Sequence, residues 1–229
     1  MTPTAKLITP EALPAVPVEV KPPAGAEQRF VLYGVSWETY KQLSTAFEPH
    51  PSVLLTYDKG ALEIMSVSLR HEKLKKLLGN VVEVIADEME IDCVSSAQTT
   101  LRLETEERGL EGDDSFYFTY LEELRHQDEI DLAADPAPDL AIEVDISSPS
   151  VSKFPIYANM GVREIWRYHR EAVRFYRLTG GEYVETETSA FLPGVTPPEL
   201  TELIAESQSL TSFVWRRKVR DYARQCKTR

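Results

Sequence analysis

Cysteine is nearly absent. Cys93 and Cys226 are the only two in 229 residues, they lie far apart without metal-ligand spacing, and they exclude both a disulfide scaffold and a zinc module. Histidine is scarce as well: His50, His71, His126 and His169 stand singly, so any metal is expected to take oxygen ligands. No stretch reaches the roughly 18 apolar residues that cross a bilayer. Pro and Glu interrupt the N-terminus where a signal peptide would be continuously apolar. A cytoplasmic protein without membrane contact is therefore expected. Positive charge is also in deficit, with 25 Lys and Arg against 37 Asp and Glu and a formal net charge of -12. That balance argues against nucleic acid as a default partner.

What is there is unevenly distributed. Hydrophobic residues make up 42% of the chain, enough for one domain with a sizeable core. Residues 1–28 hold six prolines and little apolar periodicity, and read as an extended or disordered leader. A single domain is expected over residues 29–207. Residues 208–229 form a basic amphipathic helix, with seven basic residues against one acid from Arg216 to Arg229. Its cations could contact a DNA backbone. Its stripe of Leu210, Phe213, Val214, Val219 and Tyr222 is expected to dock on the core or on a second subunit, the latter making a homodimer.

Within the domain, Ser36 caps a predicted helix from Trp37, and VLLTYDKGALEIMSVS reads as a hairpin turning at Asp58 to Gly60. Leu74, Leu78, Val81, Val82, Ile85 and Met89 recur at helical spacing over His71 to Met89. CVSSAQTTLRLE, DSFYFTY and DLAIEVDIS follow as three β-rich segments. Ser150 is a candidate cap for a helix that starts near Phe154, keeps Pro155 in its first turn and ends at Gly161. Two further strands turn at Gly180-Gly181, and two helices close the chain.

The segment LAIEV is apolar on both faces except at Glu143, the pattern of a central strand in which a lone carboxylate is costly. Strand alternation puts Asp139, Glu143 and Asp145 on one face, where a divalent cation such as Mg²⁺ would relieve their repulsion. Equally, Asp139 can mark the strand's start and Asp145 its exposed end. EGDDSFYF sets Asp113 and Asp114 at the entrance to another strand. They act there as turn acids or, if that strand neighbours LAIEV, as partners facing Glu143.

The ordered runs GVSWETY, LEIMSVSLRHE, EGDDSFYF, PDLAIEVDISSPSVSK and PIYANMGVREIWRY resemble the Uma-type restriction endonuclease family over Leu32 to Tyr176. The resemblance implies a PD-(D/E)XK, restriction-endonuclease-like α/β (α+β) fold: a mixed β-sheet flanked by helices, with a divalent-metal site at the sheet edge. It further implies a Mg²⁺-dependent (or Mn²⁺-dependent) DNA endonuclease, with Asp113 and Glu143 as metal-binding acids and Lys153 as the catalytic amine. Three departures stand out. Gly112 precedes Asp113 where the family reads Pro-Asp, Asp145 occupies the usual lysine position after Glu143, and Val67 replaces a proline. Asp139, in a literal Pro-Asp pair, is the alternative first acid. His71 and Glu72 open the long helix and are candidates to border the site, although Glu72 also suits a helix N-terminus without any such role. Glu63, between inward Leu62 and Ile64, is expected to face solvent or the site mouth. A non-catalytic nucleic-acid- or protein-binding module on the same fold is the competing expectation.

Overall fold

The structure is a computed structural model that describes residues 27–124, 127, 130–147 and 151–228. Most of the leader, His126 and the expected cap Ser150 lie outside the described residues.

The first sheet is antiparallel, in the order β1-β3-β2-β6-β5. It is built from β1 (Gln28–Tyr33), β2 (Val53–Asp58), β3 (Ala61–Ser66), β5 (Thr100–Leu103) and β6 (Arg108–Glu111). The hairpin between β2 and β3 turns at Lys59 (φ 47°) and Gly60 (φ 96°). Two consecutive positive φ values match the right-handed twist of the flanking strands. Helix α1 (Trp37–Phe47) covers this sheet, its start capped by the Ser36 hydroxyl, which accepts from Thr39 N. Tyr40 of α1 stacks on Tyr57 of β2 with ring centroids 4.9 Å apart.

The second sheet runs β11-β10-β9-β8-β7-β4 and is mixed. Its strands are β4 (Val94–Ser95), β7 (Asp114–Tyr117), β8 (Leu140–Asp145), β9 (Glu164–His169), β10 (Ala172–Thr179) and β11 (Glu182–Thr186). β8 and β9 pair in parallel. Parallel neighbours need a crossover, and helix α4 (Phe154–Met160) supplies it. Gly161, at φ 86°, ends α4 in the left-handed conformation that glycine adopts without a Cβ penalty.

Two cores follow from the alternation of β8. Leu140, Ile142 and Val144 face helices α2 (Leu69–Met89), α5 (Pro197–Glu206) and α6 (Ser212–Lys227), in a cluster with Ile85, Trp166, Leu200 and Trp215. On the other face, Ala141 and Ile165 pack with Ile156 and Tyr157 of α4 and with Leu101 and Leu110 of the first sheet. A short helix, α3 (Leu121–Leu124), follows β7.

The expected mixed sheet and flanking helices are present, and a second, antiparallel sheet accompanies them. Three local expectations change. CVSSAQTTLRLE is not one strand: β4 joins the mixed sheet and β5 the antiparallel one, with Ala97 in the left-handed region between them. β6 is a strand despite its polar flanks, because Leu110 and Glu111 are buried by tertiary packing. α2 begins at Leu69, ahead of His71, because the Ser68 hydroxyl caps it by accepting from His71 N at 3.1 Å. α6 docks as its stripe suggests, burying Trp215, Val219, Tyr222, Ala223 and Cys226, while Phe213 is left exposed.

Candidate active site

β8 carries Glu143 and Asp145 on the face toward α4 and the first sheet, and both are buried. β7 pairs with β8 so that Asp114 lies opposite Ile142. This brings Asp113, at the mouth of β7, against the end of β8, where its Oδ2 accepts from Val144 N at 2.7 Å. The start of α4 brings Lys153 down on the same spot. Lys153 Nζ donates to Glu143 Oε2 at 2.6 Å and reaches the Glu111 carbonyl at 3.5 Å. One turn on, the Tyr157 hydroxyl donates to Glu143 Oε1 at 2.5 Å. Asp113, Glu143 and Lys153 therefore meet in one buried cluster.

α2 contributes the fourth wall. The Ser68 cap sets His71 at the helix start with no exposed side-chain surface, and its Nε2 stands 3.3 Å from Asp113 Oδ1. The two atoms do not meet in hydrogen-bond geometry, and both are buried polar atoms without a bonding partner among the described residues. Such atoms are uncommon inside folded proteins and call for an explanation. His71 Nδ1 lies 3.4 Å from Glu72, which is half-exposed and also pairs with Lys75 at 3.2 Å. Glu72 thus sits behind His71, away from the cluster's centre.

The remaining sequence candidates have other surroundings. Asp139 lies at the opposite end of β8. Its Oδ2 accepts from Phe118 N and Thr119 N at 2.7 Å each, and Arg163 and the Thr119 hydroxyl donate to Oδ1. It ties the end of β7 to the start of β8 and does not reach Glu143's partners. Asp145 is not an exposed strand end: Arg167 Nε donates to it at 2.7 Å and Arg29 lies 3.6 Å away. Glu63 does not face solvent either. It is 1% exposed, bound by Arg29 Nη1 at 2.7 Å and Val151 N at 3.3 Å. Alternation along β3 holds, with Leu62 and Ile64 packing under α1, but Arg29 and Val151 close the opposite face over Glu63.

The cluster holds three acids around one ammonium. Burial pushes Glu143 up to about 7, opposed by Lys153 and reinforced by the charges of Asp113 and Asp145. Burial works against the Lys153 charge, yet Glu143, Asp113 and Asp145 outweigh it and hold its pKa above the ordinary lysine value. Asp113 is buried too, but Lys153 and His71 beside it keep its carboxyl below the usual range. Asp113 is the acid that stays ionised, and Glu143 the one whose charge depends on a nearby cation.

In kind, this donor set suits a hard divalent ion: two carboxylates, with Asp113 Oδ1 met only by His71 at 3.3 Å. Among the described residues no group of three or more His, Cys, Asp or Glu side chains has metal-ligating spacing. A metal here would thus be held by the two acids and completed by water, backbone carbonyl or substrate oxygens, a pattern usual for Mg²⁺.

Sequence reasoning missed Tyr157, Arg29, Arg167 and Glu111. Tyr157 had a signal, since it stands four residues after Lys153 and so shares its helix face. Arg167 had a weaker one, β-strand alternation in a buried strand. Arg29 had none, being 118 residues from the Ser147 hydroxyl it also binds.

No curated protein matches the chain. Among solved structures it is similar to a "putative nuclease belonging to DUF820 from Anabaena variabilis ATCC 29413", at 16% identity and a TM-score of 0.46, over 80% of this chain and 99% of that one. The model of the Uma2 family, described as "Putative restriction endonuclease", matches residues 37–212. That span exceeds half of the 229 residues and continues beyond the Leu32 to Tyr176 resemblance legible in the sequence motifs, so the chain belongs to the Uma2 family.

Proposed function

We propose that this protein is a cytoplasmic, Mg²⁺-dependent DNA endonuclease whose catalytic residues are Asp113, Glu143 and Lys153. One observation carries the reading: a buried Asp113 oxygen, met only by His71 Nε2 at 3.3 Å and outside good hydrogen-bond geometry, stands beside Glu143 and Lys153. Family membership supports nuclease chemistry in general. Asp113 and Glu143 would hold the ion, Mg²⁺ or Mn²⁺, which when bound polarises a phosphate and lowers the pKa of bound water.

The other roles belong to the chain itself. Val144 N fixes the rotamer of Asp113 through Oδ2 and leaves Oδ1 turned toward His71. Lys153 keeps Glu143 ionisable in a site where burial alone would neutralise it. Its ammonium also stands where negative charge developing on a transferring phosphate would be stabilised. Tyr157 orients the Glu143 carboxylate, and Arg29 and Arg167 neutralise Asp145 and Glu63, so that flanking acids do not repel a polyanionic substrate.

The test is nicking of supercoiled plasmid by purified protein with and without Mg²⁺. Cutting that requires Mg²⁺ and disappears in Glu143→Gln agrees with the reading, whereas undiminished cutting by that variant removes Glu143 from the chemistry. A second reading, a non-catalytic nucleic-acid- or protein-binding module, draws on the fact that both Glu143 oxygens are already engaged by Lys153 and Tyr157. Calorimetry separates the two, because the module binds neither Mg²⁺ nor Mn²⁺.

A further inference from the structure

A cavity of about 510 Å³ is walled by α1 and the antiparallel sheet, is lined by none of Asp113, Glu143 and Lys153, and takes no part in the chemistry above. That volume falls in the range of roughly 300–1,000 Å³ usual for small-ligand sites. Its walls are Ser44 and Phe47 of α1, His50 in the turn that follows, Thr100 and Arg102 of β5, and Glu111 at the end of β6. Glu111 joins it to the cluster. Its side chain lines the cavity, its carbonyl lies 3.5 Å from Lys153 Nζ, and Asp113 follows two residues later.

Charge on the cavity wall is arranged unusually. Arg102 and Glu111 both line it, yet among the described residues they close no ion pair with each other. Arg102 is exposed, and its Nη2 donates to the Ser44 hydroxyl at 2.7 Å, which tethers one end of the guanidinium at the cavity wall. Glu111 Oε2 accepts from Leu55 N at 3.3 Å, which fixes the carboxyl at the floor. Phe47 and His50, packed edge to face with centroids 6.5 Å apart, place two aromatic rings on the cavity wall. A tethered guanidinium, an anchored carboxyl and two aromatic rings together match a planar ligand that carries acceptors on one edge and donors on the next.

We propose that this cavity is a nucleobase subsite that takes an unstacked guanine of the nucleic acid, adjacent to the phosphate that Asp113, Glu143 and Lys153 would act on. Guanine offers O6 and N7 to a guanidinium fork and N–H donors to a carboxylate. Adenine places its N6 donor where Arg102 requires an acceptor. Phe47 and His50 supply stacking, which tolerates any base, so discrimination rests on Arg102 and Glu111. The guanine is either rotated out of a duplex or already in a single-stranded segment. The assignment of the neighbouring phosphate rests on the nuclease reading; the base pocket does not.

The test uses the full chain without metal, titrated with guanosine, adenosine, cytidine and thymidine 5′-monophosphates and followed by NMR chemical-shift perturbation. The expected result is binding of the guanosine nucleotide roughly tenfold or more tighter than the others. Arg102→Met should lose that preference while keeping the melting temperature of the parent protein. Arg102→Lys, which retains charge without the fork, should lose it too. Equal binding of all four nucleotides, no binding of any, or a guanine preference that survives Arg102→Met would overturn the proposal. Plasmid nicking by the same preparation after addition of Mg²⁺ is scored separately. Nicking without guanine preference sinks the pocket alone, and guanine preference without nicking sinks the nuclease reading alone.

Discussion

Gly112 and Tyr157 are fitted to each other. A Cβ at position 112 would stand 2.7 Å from the Tyr157 hydroxyl, the same hydroxyl that donates to Glu143 at 2.5 Å. Glycine at this position thus makes room for a hydrogen bond on the buried carboxylate. Gly112→Ala should push the tyrosine off Glu143 and cost about 1–3 kcal/mol, as overpacking of a dense interior does. In a Tyr157→Phe background the same change should cost markedly less. Urea denaturation of the four proteins measures the coupling, and simple additivity would count against the fit.

Lys153 and Glu143 form a buried ion pair, and such pairs are destabilising to break from one side only. Lys153→Met should lower stability by about 3–5 kcal/mol at pH 8, because three buried acids lose their shared cation. The loss should shrink at pH 5, where protons can replace the ammonium. Lys153→Met combined with Glu143→Gln should be more stable than Lys153→Met alone. Equal stability of the single and double variants at pH 8 would refute this.

Glu164 is buried at the start of β9, where its carboxylate accepts from Trp166 Nε1, the Ser189 hydroxyl and Ala190 N. Burial nevertheless outweighs those bonds and raises its pKa. A carboxyl raised in the folded state binds a proton there more readily than in the unfolded chain. Its contribution is therefore fully present below the unfolded value of about 4.3 and is lost as pH rises through the folded value. Glu164→Gln should remove that slope. The stability gap between parent and variant, followed by denaturation from pH 4 to pH 8, should move in the variant's favour as pH rises; a constant gap would contradict the assignment.

α6 has two faces with separable consequences. Trp215 is buried and its indole donates to the Leu203 carbonyl at 2.7 Å, so Trp215→Ala should cost about 3–5 kcal/mol. Arg216, Arg217 and Arg220 are exposed without an ion pair among the described residues, and reversing their charge should change stability by less than about 0.5 kcal/mol each. If these arginines meet a DNA backbone, each replacement lowers the salt dependence of binding by about 0.9 in the log–log slope. An unchanged slope would assign α6 to core packing only.

Much of the fold was legible because local rules agreed with tertiary need. The apolar run of β8, the 3.6-residue stripe of α2 and the glycine turns all name their element without outside help. The antiparallel sheet was less so. β6 has one apolar residue, Leu110, among Arg108, Gly109 and Glu111, and becomes a strand because β2 and β5 pair with it on either side. Glu63 shows the same limit, since a charged residue between two leucine-like neighbours reads as outward until a second layer closes over it.

For the candidate site, the sequence by itself determined which side chains are on offer: scarce histidine and cysteine, and a lone carboxylate, Glu143, in an otherwise apolar strand, while Asp113 and Lys153 were singled out through the family resemblance. Composition and alternation supply the first part, because they depend only on side-chain type and strand period. Which acids share a space was decided by tertiary structure alone. Asp139 and Asp145 lie on the same strand face as Glu143, yet arginines and backbone amides from distant segments occupy them, while Asp113 arrives from another strand and His71 and Lys153 from two helix starts. Pairwise distances of a few ångströms set burial and charge coupling, and no spacing along the chain encodes them.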